Sequence, residues 1–223
     1  MAQKKARNPR YVSDTGIAIY PYLIEPDTKY NPDGEYKVKL RLSPDAEVYD
    51  AKRKSLGTMQ EFLDGMLEKA VEKAKQENKG KIKEADAPYS FDDDNGDLLV
   101  NFKLKASGTT RDGKEFTQAP ALFDAKGKPF GDEEIWGGSK IKVSFEVVPF
   151  YTKLIGAGIT LRLKAAQIIE LRQGGGASAE NYGFGEEEGY EAEDEAEDEA
   201  GDNGFASEDD TPADDTDDQD GDF

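Results

Sequence analysis

Residues 134–171 read EIWGGSKIKVSFEVVPFYTKLIGAGITLRLKAAQIIEL, the stretch around which the rest of the chain is organised. Ile141, Val143, Phe145 and Val147 alternate with Lys142, Ser144 and Glu146, the period of a half-buried strand. Ile159, Leu161 and Leu163 alternate in the same way with Thr160, Arg162 and Lys164. Between the two runs, Pro149 is expected to interrupt the ladder, because proline has no amide to donate. Gly156 and Gly158 let the chain bend tightly or lie close to another backbone. Each run has an apolar face and a cationic face, and Phe150 and Tyr151 stand between them. That combination predicts a surface for a flat polyanion.

Working outward, Glu35–Leu42 has the cleanest alternation in the chain. Tyr36, Val38, Leu40 and Leu42 take one face, and Lys37, Lys39 and Arg41 the other. Residues 98–107 repeat the pattern, with Val100, Phe102, Leu104 and Ala106 inward and Lys103 and Lys105 outward. Gly16–Ile24 reads as a further strand, with Pro21 marking an edge or a bulge. Ser43-Pro44 predicts a helix start, a hydroxyl cap followed by proline in the first turn. From Asp45 to about Lys79 apolar residues recur every three or four, so one amphipathic helix is expected there, bent near Gly57 or Gly65 and ended at Gly80. The run Asp92-Asp93-Asp94-Asn95-Gly96 resembles a calcium loop only superficially. With Gly96 at the glycine position, Phe91 and Phe102 would occupy the first and last ligand positions, so a charged hairpin turn is expected instead. Five or more short strands with one long helix among them predict a mainly β fold, a small closed barrel with a helical insertion.

The chain has neither cysteine nor histidine, which excludes disulfides, zinc sites built on those residues, catalytic triads and thiol chemistry. No metal, cofactor or enzymatic activity is expected. No apolar run is long enough to span a bilayer, and the basic N-terminus lacks the apolar segment of a secretory signal, so no membrane partner is expected and the cytoplasm is the expected compartment. The net charge of −19 averages two different polymers. Residues 1–172 carry all 29 Lys and Arg against 27 carboxylates, whereas residues 173–223 carry 21 Asp and Glu and no base. The expected domains are therefore a near-neutral body, 1–172, and an acidic disordered tail, 173–223, joined at the triple glycine 174–176. The basic residues Lys4, Lys5, Arg7 and Arg10 read as a solvated arm or a phosphate-contacting one.

Four cationic strand faces on a near-neutral body point to a groove that tracks phosphates: Lys37/Lys39/Arg41, Lys103/Lys105, Lys140/Lys142 and Arg162/Lys164. Tyr11, Tyr20, Tyr22, Trp136, Phe150 and Tyr151 are candidate stacking platforms. Phe150 and Tyr151 lead, because adjacent strand residues cannot both face inward. A DNA-mimic inhibitor or an acidic protein-binding chaperone, with the tail as active element, is the competing reading; the cationic strands argue against it.

The chain resembles the single-stranded DNA-binding proteins of T-seven-type DNA phages. The resemblance runs through Tyr20-Pro21-Tyr22, Asn31-Pro32, Tyr36-Lys37-Val38, Phe102-Lys103-Leu104-Lys105 and Asp124 to Lys128. It is densest at Gly137 to Val143, Val148-Pro149-Phe150, Gly156-Ala157-Gly158 and Glu170-Leu171, and it closes on Asp220-Gly221-Asp222-Phe223. It implies an OB-fold (a five-stranded Greek-key barrel), sequence-independent binding of single-stranded DNA, and work in phage replication, recombination and repair in the host cytoplasm. It assigns DNA contacts to Lys103, Lys105 and Phe150. Lys37, Lys39, Lys142, Tyr151 and Arg162 join them from the strand phases. Ser107, Asp33 and Thr152 stand where the family has tyrosine, arginine and tryptophan, and Tyr151 is the expected substitute. Asp217, Asp218, Asp220, Asp222 and Phe223 are expected to compete with DNA and to recruit the phage DNA polymerase and helicase/primase. Oligomeric state is left open, a homodimer included.

Overall fold

The computed structural model describes residues 8–172 except Tyr30, Lys79, Gly80, Arg111 and Asp132. The arm residues Lys4, Lys5 and Arg7, the expected helix stop at Gly80 and the whole acidic tail lie outside the described residues. In chain order the elements are β1 (Tyr11–Ser13), β2 (Gly16–Asp27), β3 (Glu35–Leu42), β4 (Glu47–Asp50), β5 (Ser55–Thr58), α1 (Met59–Glu77), β6 (Tyr89–Phe91), β7 (Leu98–Lys105), β8 (Ser107–Thr109), β9 (Glu115–Thr117), β10 (Ala121–Phe123), β11 (Lys140–Thr152) and β12 (Gly156–Glu170).

The opening stretch forms the long antiparallel hairpin of β11 and β12. From it the pairing runs in a circuit. β12 lies parallel to β7 at Arg162 and Lys103, and β7 pairs antiparallel with β3 over its full length. β3 pairs with β2, and β2 returns to β11 at Gly16 and Ile17. β1, β4 and β5 extend the sheet from β11, and β10 adds to β12. The alternating apolar residues fill the interior: Leu40, Phe102, Phe145, Leu161 and Leu163 are fully buried. α1 packs on β11 and β12 through Met59, Leu63, Leu67, Ala70, Val71 and Ala74, one stripe at helical spacing.

Four expectations are corrected. The helix begins at Met59, capped by Thr58, whose hydroxyl accepts from the Glu61 amide at 3.3 Å. Ser43-Pro44 instead makes a turn closed by the Ala46 amide on the Ser43 carbonyl at 3.0 Å. Serine and proline serve caps and turns alike, and Val48 and Leu56 belong to strands β4 and β5. Secondly, Pro149 does not break its strand. β11 is paired on its far side only as far as Phe145, so Pro149 sits in an edge stretch that tolerates a missing amide. Thirdly, Tyr11 is no stacking platform: it lies in β1 with its ring 4.7 Å from that of Phe62. Finally, Glu146 is buried to 8% exposure beside two arginines rather than solvated. The bulge expected at Pro21 is present, as a register shift in the β2–β3 ladder between Ile19 and Tyr22.

Candidate nucleic-acid interface

Strand register brings the expected cations into line. Tyr22 of β2 lies opposite Lys37 of β3, Lys37 opposite Lys103 of β7, Lys103 opposite Arg162 of β12, and Arg162 opposite Glu146 of β11. Because all five share one phase, they form a row across the strands, with neighbours about 5 Å apart. Three adjacent cations repel one another. Carboxylates at both ends offset that repulsion. The Lys37 ammonium donates to Asp27 at 2.5 Å, and Arg162 lies 3.6 Å from Glu146. The bond to Lys37, supported by the Lys29 amide, holds the Asp27 carboxyl below its ordinary range; the same bond raises Lys37 above its own. Lys103, in the middle, has no ion-pair partner among the described residues.

Lys37 and Lys103 of the row line a groove of about 990 Å³ together with Tyr20, Tyr22, Lys39, Asn101, Phe150 and Thr160. A second hollow of about 490 Å³ adjoins it, sharing Lys103 and Thr160 and adding Lys105, Arg162 and Lys164. Lys105 stands opposite Glu35, so its charge is partly answered across the ladder. Tyr22 carries the Lys37 ammonium 5.1 Å above its ring. Phe150 lies over Gly158 on the facing strand, where a Cβ would come within 2.7 Å of its ring. The missing side chain makes the seat for that aromatic.

Tyr20 is the residue that sequence reasoning undervalued. The residue is 80% exposed at the groove and its backbone holds φ 47°, a conformation that costs a side-chain-bearing residue about 1–2 kcal/mol. The Tyr-Pro-Tyr run was the available signal, since Pro21 marks a bulge and a bulge re-aims the side chains beside it. Tyr151 is exposed one residue beyond Phe150, and Trp136 lines a different hollow with Ile24 and Glu134. Lys142 does not join the row; with Arg10 and Gln167 it lines a separate hollow of about 350 Å³. The departures Ser107 and Asp33 meet directly, the serine hydroxyl donating to the Asp33 carbonyl at 2.7 Å. Thr152 accepts from the Ile155 amide at 3.2 Å and closes the hairpin tip. Among the described residues no group of His, Cys, Asp and Glu could hold a metal ion. No helix there is long and apolar enough to cross a membrane.

Residues 15–171 match the family model described as the single-stranded DNA-binding protein of Bacteriophage T7. The chain belongs to this family. It is 31% identical over 194 residues to the single-stranded DNA-binding protein of Enterobacteria phage T3, covering 80% of this chain and 83% of that protein. It is also 31% identical over 187 residues to its counterpart from Escherichia phage T7, covering 78% and 80%. The crystal structure of gp2.5, a single-stranded DNA-binding protein encoded by Bacteriophage T7, superposes with a TM-score of 0.64 at 29% identity, covering 84% of this chain and all of that one. These relatives are named as binding proteins, not enzymes. The family match contains every residue of the row, while Arg10 lies just before it.

Proposed function

We propose that this family member binds single-stranded DNA without sequence preference, its strand crossing the row Lys37–Lys103–Arg162. The observation that carries the reading is the row itself. Three cations held against mutual repulsion, beside the exposed rings of Tyr20 and Tyr22 and the half-buried ring of Phe150, fit a ligand that supplies phosphates and flat faces together. Each stacked base contributes roughly 1–3 kcal/mol whatever its identity. The strand circuit, with its one parallel pair between β7 and β12, fits an OB-type barrel in which α1 is the insertion. Residues 1–172 form the binding domain in this reading. The acidic tail, 173–223, competes with DNA for the cations and, once freed, offers its carboxylates and Phe223 to basic surfaces of the phage DNA polymerase and helicase/primase. The setting is phage replication, recombination and repair in the host cytoplasm.

The test is titration of single-stranded oligonucleotides at several salt concentrations with the variant Lys103→Ala/Arg162→Ala. Two lost phosphate contacts should reduce the salt slope by roughly 1.4, about 0.7 each. An unchanged affinity and slope would place the strand elsewhere.

A further inference from the structure

The hollow lined by Arg10, Lys142 and Gln167 lies outside the groove, yet it is built for the same ligand. Its lining holds two cations and no carboxylate, and its remaining wall is formed largely by Val12, Phe123, Ala165 and Ala166. A site with fixed positive charge and an apolar wall accepts one phosphate and the face of one base.

Two features join this hollow to the groove. The first is β12. Its outward residues line successive cavities: Thr160 the groove, Arg162 and Lys164 the adjoining hollow, Ala165 and Gln167 the hollow of Arg10 and Lys142. A bulge allows the continuation. Ser144 pairs with Ala165 and Phe145 with Leu163, so Lys164 is the extra residue. Beyond it Ala166 and Ile168 turn inward, leaving Ala165 and Gln167 outward. The second feature is Glu146. Its carboxylate lies 3.6 Å from Arg162, which lines the hollow adjoining the groove, and 4.0 Å from Arg10, which lines the separate hollow. Two guanidiniums around one largely buried carboxylate leave an excess positive charge at the crossing between the two sites. Glu146 thereby acts as a positioning residue for both arginines.

We infer that a DNA strand leaving the groove at Arg162 continues along β12 into the Arg10–Lys142 hollow, which forms a second nucleotide-binding subsite. The inference rests on the reading of the groove given above. From Thr160 to Gln167 the path is about 23 Å long at roughly 3.3 Å per residue, so a short oligonucleotide seated in the groove falls short of the hollow. Occupancy of the subsite is therefore length-dependent.

The experiment measures the affinity of full-length protein for oligothymidylates of graded length, at several salt concentrations. It compares the parent, Arg10→Ala/Lys142→Ala, Lys142→Arg, and Ala165→Glu, which adds a carboxylate to the hollow without removing a cation. With long oligonucleotides the double variant should lose roughly 1.4 from the salt slope, two contacts of about 0.7. Ala165→Glu should weaken binding of the long ones alone, Lys142→Arg should keep the parent slope, and the shortest oligonucleotides that bind should not distinguish the proteins. No slope change at any length would overturn the subsite, as would an equal loss at every length. If Ala165→Glu binds long strands like the parent, nothing of the DNA lies in the hollow. Absence of salt-dependent binding by the parent itself would instead refute the groove, a separable failure.

Discussion

Asp27 decides how much of the groove's charge is free. Its carboxylate takes the Lys37 ammonium at 2.5 Å, where a phosphate oxygen would otherwise sit, so DNA must displace it to use that cation. Asp27→Asn should therefore tighten single-strand binding at low salt and steepen the salt slope by up to about 0.7, one phosphate contact. Equal slopes for parent and variant would show that Lys37 stays with Asp27 in the complex. The pair also predicts a pH dependence of folding. Asp27 titrates below its ordinary value, so its stabilisation is present above the ordinary carboxylate range and lost as pH falls through the folded value. Lys37 titrates above its ordinary value, so its share persists below the ordinary lysine range and is lost as pH rises through the folded value. Thermal melting of parent and Asp27→Asn should differ most near neutrality and converge in strong acid. Both groups are partly solvated, so the difference should be small.

At the scale of elements, the β11–β12 hairpin carries the site and is itself anchored at its turn. The Ala157 amide donates to the Lys83 carbonyl, and the Ala85 amide donates to the Ala157 carbonyl, both at 2.8 Å, pinning the start of β12 to the segment after α1. Gly156 makes this possible. It holds φ +110°, and a Cβ there would lie 2.3 Å from the Lys83 carbonyl oxygen. Gly156→Ala should destabilise the protein by about 1–3 kcal/mol from backbone conformation, with the steric clash in addition. Urea unfolding measures it, and an unchanged midpoint would mean that the segment 83–85 is not held by β12. Beyond the anchor the tip projects Leu154, 87% exposed, and Ile155 next to it, so the hairpin ends in an apolar point beside the aromatic pair.

For the whole molecule, the governing feature is the separation of charge between a body near neutrality and a tail carrying 21 carboxylates. The proposed reading treats the tail as a tether; a Gly-rich coil of about 50 residues would have a typical reach of roughly 35–42 Å and hold its end at millimolar effective concentration. In the proposed reading the tail competes with DNA for the same cations, and linkage would make DNA binding and tail release reciprocal. Deleting residues 177–223 should tighten single-strand binding, most strongly at low salt where screening is weakest, and should abolish polymerase and helicase recruitment. Equal affinities of truncated and full-length protein at low salt would remove the competition.

The alternation at Glu35–Leu42, Leu98–Lys105 and in the runs around Phe145 and Leu161 was enough to determine the inward and outward faces of the main strands, because a period of two has one way to bury an apolar side. The family was legible from short motifs in order along the chain, Phe102-Lys103-Leu104-Lys105, Val148-Pro149-Phe150 and Asp220-Gly221-Asp222-Phe223 among them. Tertiary structure decided what depends on neighbours distant in sequence. Ser43-Pro44 carries the same local signal for a cap as for a turn, and only the pairing of Val48 with Ser13 settles which it becomes. Lys37, Lys103 and Arg162 each read as an exposed strand cation. Register across three strands makes them a row, and it gives Lys142 to another hollow. Glu146 reads as solvated by phase alone; it is buried because Arg10 and Arg162 converge on it from two other strands or their ends. Periodicity fixes which way a side chain points, and only the folded chain fixes what it meets there.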